Sequence, residues 1–316
     1  MILIPWYLHL MSAIPLLNAN LAAAVLESLL YGIYALLSLF TVYLMVTRHR
    51  ESLKIRSAVA HSRFYSPLAF WTFSLLAIVT GHWLLTVLRL FLAFKNWEDG
   101  PGPRIFYSNL SQSTEVLKYA FLVAALLIGD GFLIHRLWVL WDFRTRIIIF
   151  PTITLLGLLG FGVGLTYQLS TYTANDSIFE SAFRRWSTGV CFFSMVTILY
   201  TVGFVWYRLW DMGRVLRSFG METPNTILRI LIDSAALVAV PGLFHVISYQ
   251  CGSDLQVIGI DCTPPMLGIS NLLIQIRLHW NLAEQRAASG ATENIKFATV
   301  TGKSQGDVNL ESRSAC

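Results

Sequence analysis

The chain has 316 residues, 55% of them hydrophobic and 13% charged, with a formal net charge of +5 and a mean hydropathy of +0.59. Soluble domains carry roughly a quarter charged residues, so a water-soluble enzyme or a nucleic-acid-binding domain is excluded and a polytopic membrane protein is expected. The positive charge needs no nucleic acid, because basic loops lie well against anionic membrane lipid.

Residues 1–20, MILIPWYLHLMSAIPLLNAN, lack the basic start of a secretory signal, and Pro5 and Pro15 break a helix there. They read as an extracytoplasmic arm at the interface, with a cleaved signal as the alternative. Seven apolar stretches follow, at about 21–46, 67–94, 116–141, 147–170, 187–209, 227–249 and 255–279. Each is close to the ~20 residues that cross a ~30 Å hydrocarbon layer as a helix. Barrel strands would be about half as long and would alternate polar with apolar residues. Hydrocarbon also offers backbone N–H and C=O groups no partner, which demands helices. The expected fold is therefore all-α, a seven-helix transmembrane bundle over 21–280, multi-pass in the plasma membrane or an endomembrane. Gly252, Pro264 and Pro265 interrupt the last two stretches, and Asp233 and Asp261 lower their hydropathy. Residues 281–316 are Ser, Thr, Gly and Ala with scattered charge, a composition that buries too little surface to fold and predicts a disordered cytoplasmic tail.

Basic residues set the orientation. Seventeen Lys and Arg fall on the side holding the loop after the first helix, the third-to-fourth and fifth-to-sixth connections and the tail, against six on the other. Positive charge marks the cytoplasmic face, so the N-terminus is expected outside and the C-terminus inside. The N-glycosylation sequons at Asn109 and Asn175 fall in connections assigned outside, although Asn109 lies close to the bilayer. Cys251 and Cys262 bracket the last outer loop, either as a disulfide stapling the sixth and seventh helices or as two free thiols.

Polar residues inside the apolar stretches are the candidate functional groups, since an intramembrane charge costs roughly 2.5–3.5 kcal/mol even on the lenient insertion scale and should face the bundle interior. Counting depth along the helices separates two layers. Glu27, His82, Arg89 and Asp261 lie in the outer half, where a small ligand would bind. Asp130, Asp233 and Arg277 lie in the inner half, where a conformational latch would sit. The bland reading of both sets is interhelical hydrogen-bond glue, worth about 0.6 kcal/mol per contact.

The segments ESLLYGIYALLSLFTVYL, GDGFLIHRLWVLW, VWYRLW, IDSAALVAV and TPPMLGISNLLIQIRL, together spanning about residues 21–280, resemble a group of uncharacterised seven-helix membrane proteins of basidiomycete fungi. Asp130, Arg136, Trp138, Trp141, Asp233, Ser234 and Arg277 stand at the matching positions, with His135 where that group has Tyr and Asp233 where it has Glu. The resemblance implies the architecture and a receptor-like label; that group has no established activity to carry over.

Chemistry narrows the other seven-helix classes. A retinal protein needs a Schiff-base lysine in the last helix, and residues 255–279 contain none. The third helix ends in LWVLWDFR and the seventh carries SNLLIQIRL, without the usual signatures of rhodopsin-type receptors. His82, His135 and His245 lie on different helices, so no metal and no other cofactor is expected. The expected function is a receptor-like protein sensing an extracellular or lumenal small molecule, with membrane lipid and a cytoplasmic signalling protein as partners. Two alternatives stay open: a membrane enzyme using a buried carboxylate as general acid, as terpene cyclases do, and a proton-coupled transporter.

Overall fold

The computed structural model describes residues 16–54, 59–95, 102–108, 111–171, 177–218, 239–240, 242–245, 247–248 and 255–276, and no strand occurs among them. In chain order the helices are α1 (Leu16–Lys54), α2 (Val59–Lys95), α3 (Gly102–Ser108), α4 (Ser113–Leu140), α5 (Thr145–Ser170), α6 (Ser177–Ser218) and α7 (Gln256–Ile276). Six of these helices, α3 excepted, are long and apolar enough to cross a membrane. The chain is an all-helical, multi-pass membrane protein. The expected sixth segment, 227–249, lies mostly outside the described residues, as do Asp233, Arg277, Cys251, Asn109, Asn175 and the tail from 281.

Large apolar side chains turned outward mark the lipid face: Val25, Leu36, Phe91 and Leu199 are all about 70% exposed. Such a surface would drive aggregation in water and is stable only against hydrocarbon. The interior is built around α4 and α7, whose apolar windows are 56% and 78% buried, against 17% for α1. By compactness the chain divides after Ile274. The first unit, residues 1–274, holds everything described below; of the second, only Gln275 and Ile276 at the end of α7 are described.

Several boundaries differ from the sequence reading. Residues 16–20, read from the sequence as part of the arm, are helical, since α1 includes them from Leu16, and residues 1–15 lie outside the described residues. The basic stretches read as loops are largely helical: α1 runs on through Arg48, Arg50 and Lys54, and α6 runs through Arg208, Arg214 and Arg217 to Ser218. Hydropathy marks where the chain leaves lipid, whereas the backbone hydrogen-bond ladder persists as long as good helix formers such as Arg, Lys, Leu and Met continue it. Pro264 and Pro265 do not interrupt α7, which passes through both. A proline has no N–H to give the carbonyl four residues earlier, so Ile260 and Asp261 keep carbonyls without an intrahelical donor.

Among α1 to α6 the α5–α6 contact is the most extensive, and its sequence explains why. Gly157 of α5 lies against the ring of Phe193, Gly164 against Trp186, and Gly189 of α6 against Phe161 of α5. Small residues let the backbones approach, the main source of helix association where lipid removes the hydrophobic drive. Thr154 and Thr197 add a buried hydroxyl pair at 2.8 Å.

Candidate functional site

Buried charge gathers at one end of the bundle, where α1, α4 and α7 begin and α2 ends. Glu27 of α1 and His82 of α2 are almost fully enclosed, and Nδ1 of His82 lies 2.7 Å from Oε1 of Glu27. Aromatic packing fixes this pair. Tyr31 stacks on Trp83 at 4.4 Å, its hydroxyl meets Thr80 at 3.2 Å, and the indole of Trp83 donates to Ser28 at 3.1 Å. The register of α1 against α2 is thus set by hydrogen bonds beside the Glu27–His82 pair.

Arg89 continues the assembly two turns nearer the end of α2. Its guanidinium reaches Glu115 at 2.8 Å, donates to Thr114 at 2.8 Å and to Gln112 at 3.3 Å, all near the start of α4. Gln112 in turn donates to the Phe106 carbonyl at 3.2 Å. The rings of Phe106 and Tyr107 from α3 lie 5.2 and 5.7 Å from the guanidinium carbon. Arginine suits this position because its planar fork serves several acceptors while its face stacks on aromatic rings. Burial holds the Tyr107 phenol above its ordinary value, outweighing the opposing pull of Arg89 and Lys118.

Lys118, one turn further into α4, is buried and pairs with Asp261 of α7 at 2.7 Å. It lies within electrostatic reach of Glu115 and Glu27 as well, and Asp261 within reach of Glu27 and His82. Four of the spanning helices are thereby joined by one ionic assembly. All four outer residues named from the sequence, Glu27, His82, Arg89 and Asp261, belong to it. Sequence reasoning missed Lys118, Glu115 and Gln112, which counting placed in or beside an outer loop. The signal was present in the Glu115–Lys118 spacing, which puts opposite charges on one helix face. Two of the assembly's polar atoms, Oε2 of Glu27 and Nε2 of His82, are buried without a hydrogen-bond partner.

A cavity bounded by described residues lies beside the assembly. It measures about 40 Å³ and is bounded by Leu122 and Leu126 of α4, Ser187 and Ser194 of α6, Thr263 of α7, and His245 from the segment 242–245. Ser187 and Nε2 of His245 are hydrogen-bonded at 3.0 Å, and Nδ1 of His245 faces the Gln256 carbonyl at 3.4 Å. The cavity lining is mostly apolar, and two of its hydroxyls are already engaged, Ser187 with His245 and Thr263 with the Gly259 carbonyl.

Of the inner layer, only Asp130 lies among the described residues. It is fully buried just past the middle of α4, with neither carboxylate oxygen well hydrogen-bonded. Its flanking glycines allow close approach: Gly129 lies against Leu267 of α7 and Gly131 against Trp71 of α2. Cys262 is a buried free thiol, while Cys251, its expected partner, is outside the described residues. No cluster of three His, Cys, Asp or Glu suited to a transition metal occurs among the described residues. Comparison with protein-family models, with curated proteins and with solved structures gives no match for this chain.

Proposed function

We propose that this protein is a receptor-like membrane protein in which a small polar or amphipathic ligand, arriving from the outer face, acts on the ionic assembly of Glu27, His82, Arg89, Lys118 and Asp261. The observation that carries this reading is that the assembly joins α1, α2, α4 and α7 while leaving Glu27 Oε2 and His82 Nε2 unsatisfied. A ligand that satisfies those two atoms alters pairing in several helices together, the differential contact that a population shift requires. The long helical extensions of α1 and α6 beyond the bilayer carry the response to a cytoplasmic partner.

The test is a fluorescent reporter at the inner end of α6, placed at Arg214 through Arg214→Cys in a background lacking the other cysteines. Nanodisc-held protein is challenged with a library of small polar and amphipathic molecules. The reading expects some to change the emission of the parent and not of Glu27→Gln with its unfolding temperature preserved. Responses that persist in Glu27→Gln, or none across the library, overturn it. Burial of the Asp130 carboxyl without a hydrogen-bond partner favours a second reading, a membrane enzyme with Asp130 as general acid. Turnover of a prenyl substrate, lost in Asp130→Asn, would support that reading. Proton-driven solute uptake into proteoliposomes would instead identify a transporter.

A further inference from the structure

At one end of the bundle the apolar spans of α4 and α6 finish, at Leu140 and Arg208, and that of α5 starts, at Thr145. Hydrocarbon gives way to lipid headgroups at such a boundary, a depth suited to Trp and Tyr, whose rings are apolar and whose N–H and O–H groups are polar. The aromatic residues here are placed accordingly. Trp141 stacks with Tyr207 at 6.3 Å and lies 6.0 Å from Phe204. Tyr207, Phe143 and Trp210 are about half exposed, on a surface that meets lipid.

Positive charge on this surface lacks a counterpart. Arg208 holds its guanidinium carbon 5.4 Å from the centre of the Trp141 ring, and Arg214 lies as close to Trp210. Arg144 belongs to the α4–α5 turn, where its N–H donates to the Trp141 carbonyl at 3.3 Å. Together with the exposed Arg146 they outnumber the exposed carboxylates of this region, Asp142 and Asp211, and none of these six takes part in an ion pair among the described residues. Nε of Arg208 and the indole nitrogens of Trp138 and Trp141 are enclosed donors without an acceptor. Buried donors are nearly always paired, so a region with donors and positive charge but no acceptor is one that an anion completes. The planar guanidinium fork matches two oxygens of a phosphate, and stacking on an indole holds it ready. About two turns deeper, Ile153 of α5 and Leu199 of α6 are strongly exposed and offer acyl chains a surface, which a soluble anion would not use.

We propose that the Arg208 guanidinium, held on the Trp141 ring, binds the phosphate of one anionic phospholipid in the leaflet at this end of the bundle, with the acyl chains along α5 and α6. Arg144 and Arg214 select a headgroup of net negative charge over a zwitterionic one, whose ammonium they repel. The lipid ties the end of α4 to α6, and the site is independent of whether the ionic assembly at the other end senses a ligand.

Thermal unfolding of the purified full chain in neutral detergent micelles tests this, with phosphatidylglycerol, phosphatidylcholine or inorganic phosphate added at constant ionic strength. The expected result is a melting temperature that rises with the phosphatidylglycerol fraction and then saturates, since a ligand bound only to the folded state stabilises by mass action. Phosphatidylcholine and inorganic phosphate are expected to leave it nearly unchanged. Arg208→Gln is expected to move half-saturation several-fold higher. If that variant does not fold, Arg208→Lys decides the matter, because it keeps the charge and loses the fork, and the same direction of change is expected. Unchanged half-saturation in the deciding variant would mean diffuse attraction between basic helix ends and an anionic surface, and would overturn the site. No rise with phosphatidylglycerol, or an equal rise with phosphatidylcholine, would overturn the choice of an anionic lipid, and an equal rise with inorganic phosphate would make the occupant a soluble anion instead.

Discussion

Lys118 and Asp261 show most clearly how the interior handles charge. Each is nearly fully buried, and at 2.7 Å they neutralise one another. Breaking such a pair leaves the survivor desolvated and alone, which typically costs 3–5 kcal/mol, whereas replacing both partners by apolar groups is often neutral. Lys118→Met is therefore expected to lower unfolding stability by about 3–5 kcal/mol, and Lys118→Met with Asp261→Leu to recover most of that loss. Stability of the single and double variants, measured in one detergent, checks this. Additive losses would show that the two residues do not act as a pair. The same contact shows what the sequence could and could not disclose. Glu27, His82 and Asp261 stand alone in apolar runs, so depth counting found them. Lys118 stands near a helix start next to a polar connection, where averaging over a window counts it as loop charge. What encloses that end of the assembly is partly α3, a short helix whose Gly102 adopts φ 73° and whose Phe106 and Tyr107 rings cover Arg89. Helix length and hydropathy give no hint of such a covering.

Pairs of helices were legible as lengths and opaque as contacts. Nothing in a run such as TLLGLLGFGVG says which glycine meets a partner, yet Gly157 and Gly164 receive aromatic rings of α6 whereas Gly160 faces open space. Pro151 is the more instructive case. Buried within α5, it cannot donate to the carbonyl of Ile147, and an unpaired carbonyl in a membrane helix must find another donor. The hydroxyl of Tyr200 on α6 supplies it at 3.1 Å, and the ring is held by Phe150 and Phe204. Tyr200→Phe keeps the ring and is expected to cost about 0.5–1.5 kcal/mol, the net worth of one hydrogen bond. In a Pro151→Ala background the new N–H can serve Ile147, and the same change is expected to cost close to nothing. A double-mutant cycle from unfolding curves measures the difference. Equal losses in both backgrounds would mean that Tyr200 does not stand in for the missing N–H.

For the protein in its bilayer, the reading of function depends on which end faces out. The ionic assembly shares its end of the bundle with the close of α5 near Thr171, while the tight α4–α5 turn, with Asp142 and Phe143 in left-handed backbone at φ 54° and 59°, marks the opposite end. Thr171 and Asp142 are both exposed, so each can report a side. From the count of basic residues we expect the assembly outside and the turn in the cytoplasm, because Lys and Arg accumulate where translocation is disfavoured. In a background lacking the native cysteines, Thr171→Cys is expected to react with a membrane-impermeant maleimide on intact cells, and Asp142→Cys only after permeabilisation. The labelling is read by gel shift. The reverse pattern would turn the ionic assembly toward the cytoplasm and put it beyond the reach of any ligand arriving from outside. Glu27 and His82 would then respond to a cytoplasmic metabolite, and the basic extensions of α1 and α6 would meet the outer leaflet, where anionic lipid is scarce and their charge would have no counterpart. In the expected orientation both ends would have a physical partner: water and solutes at the ionic assembly, anionic lipid at the helical extensions.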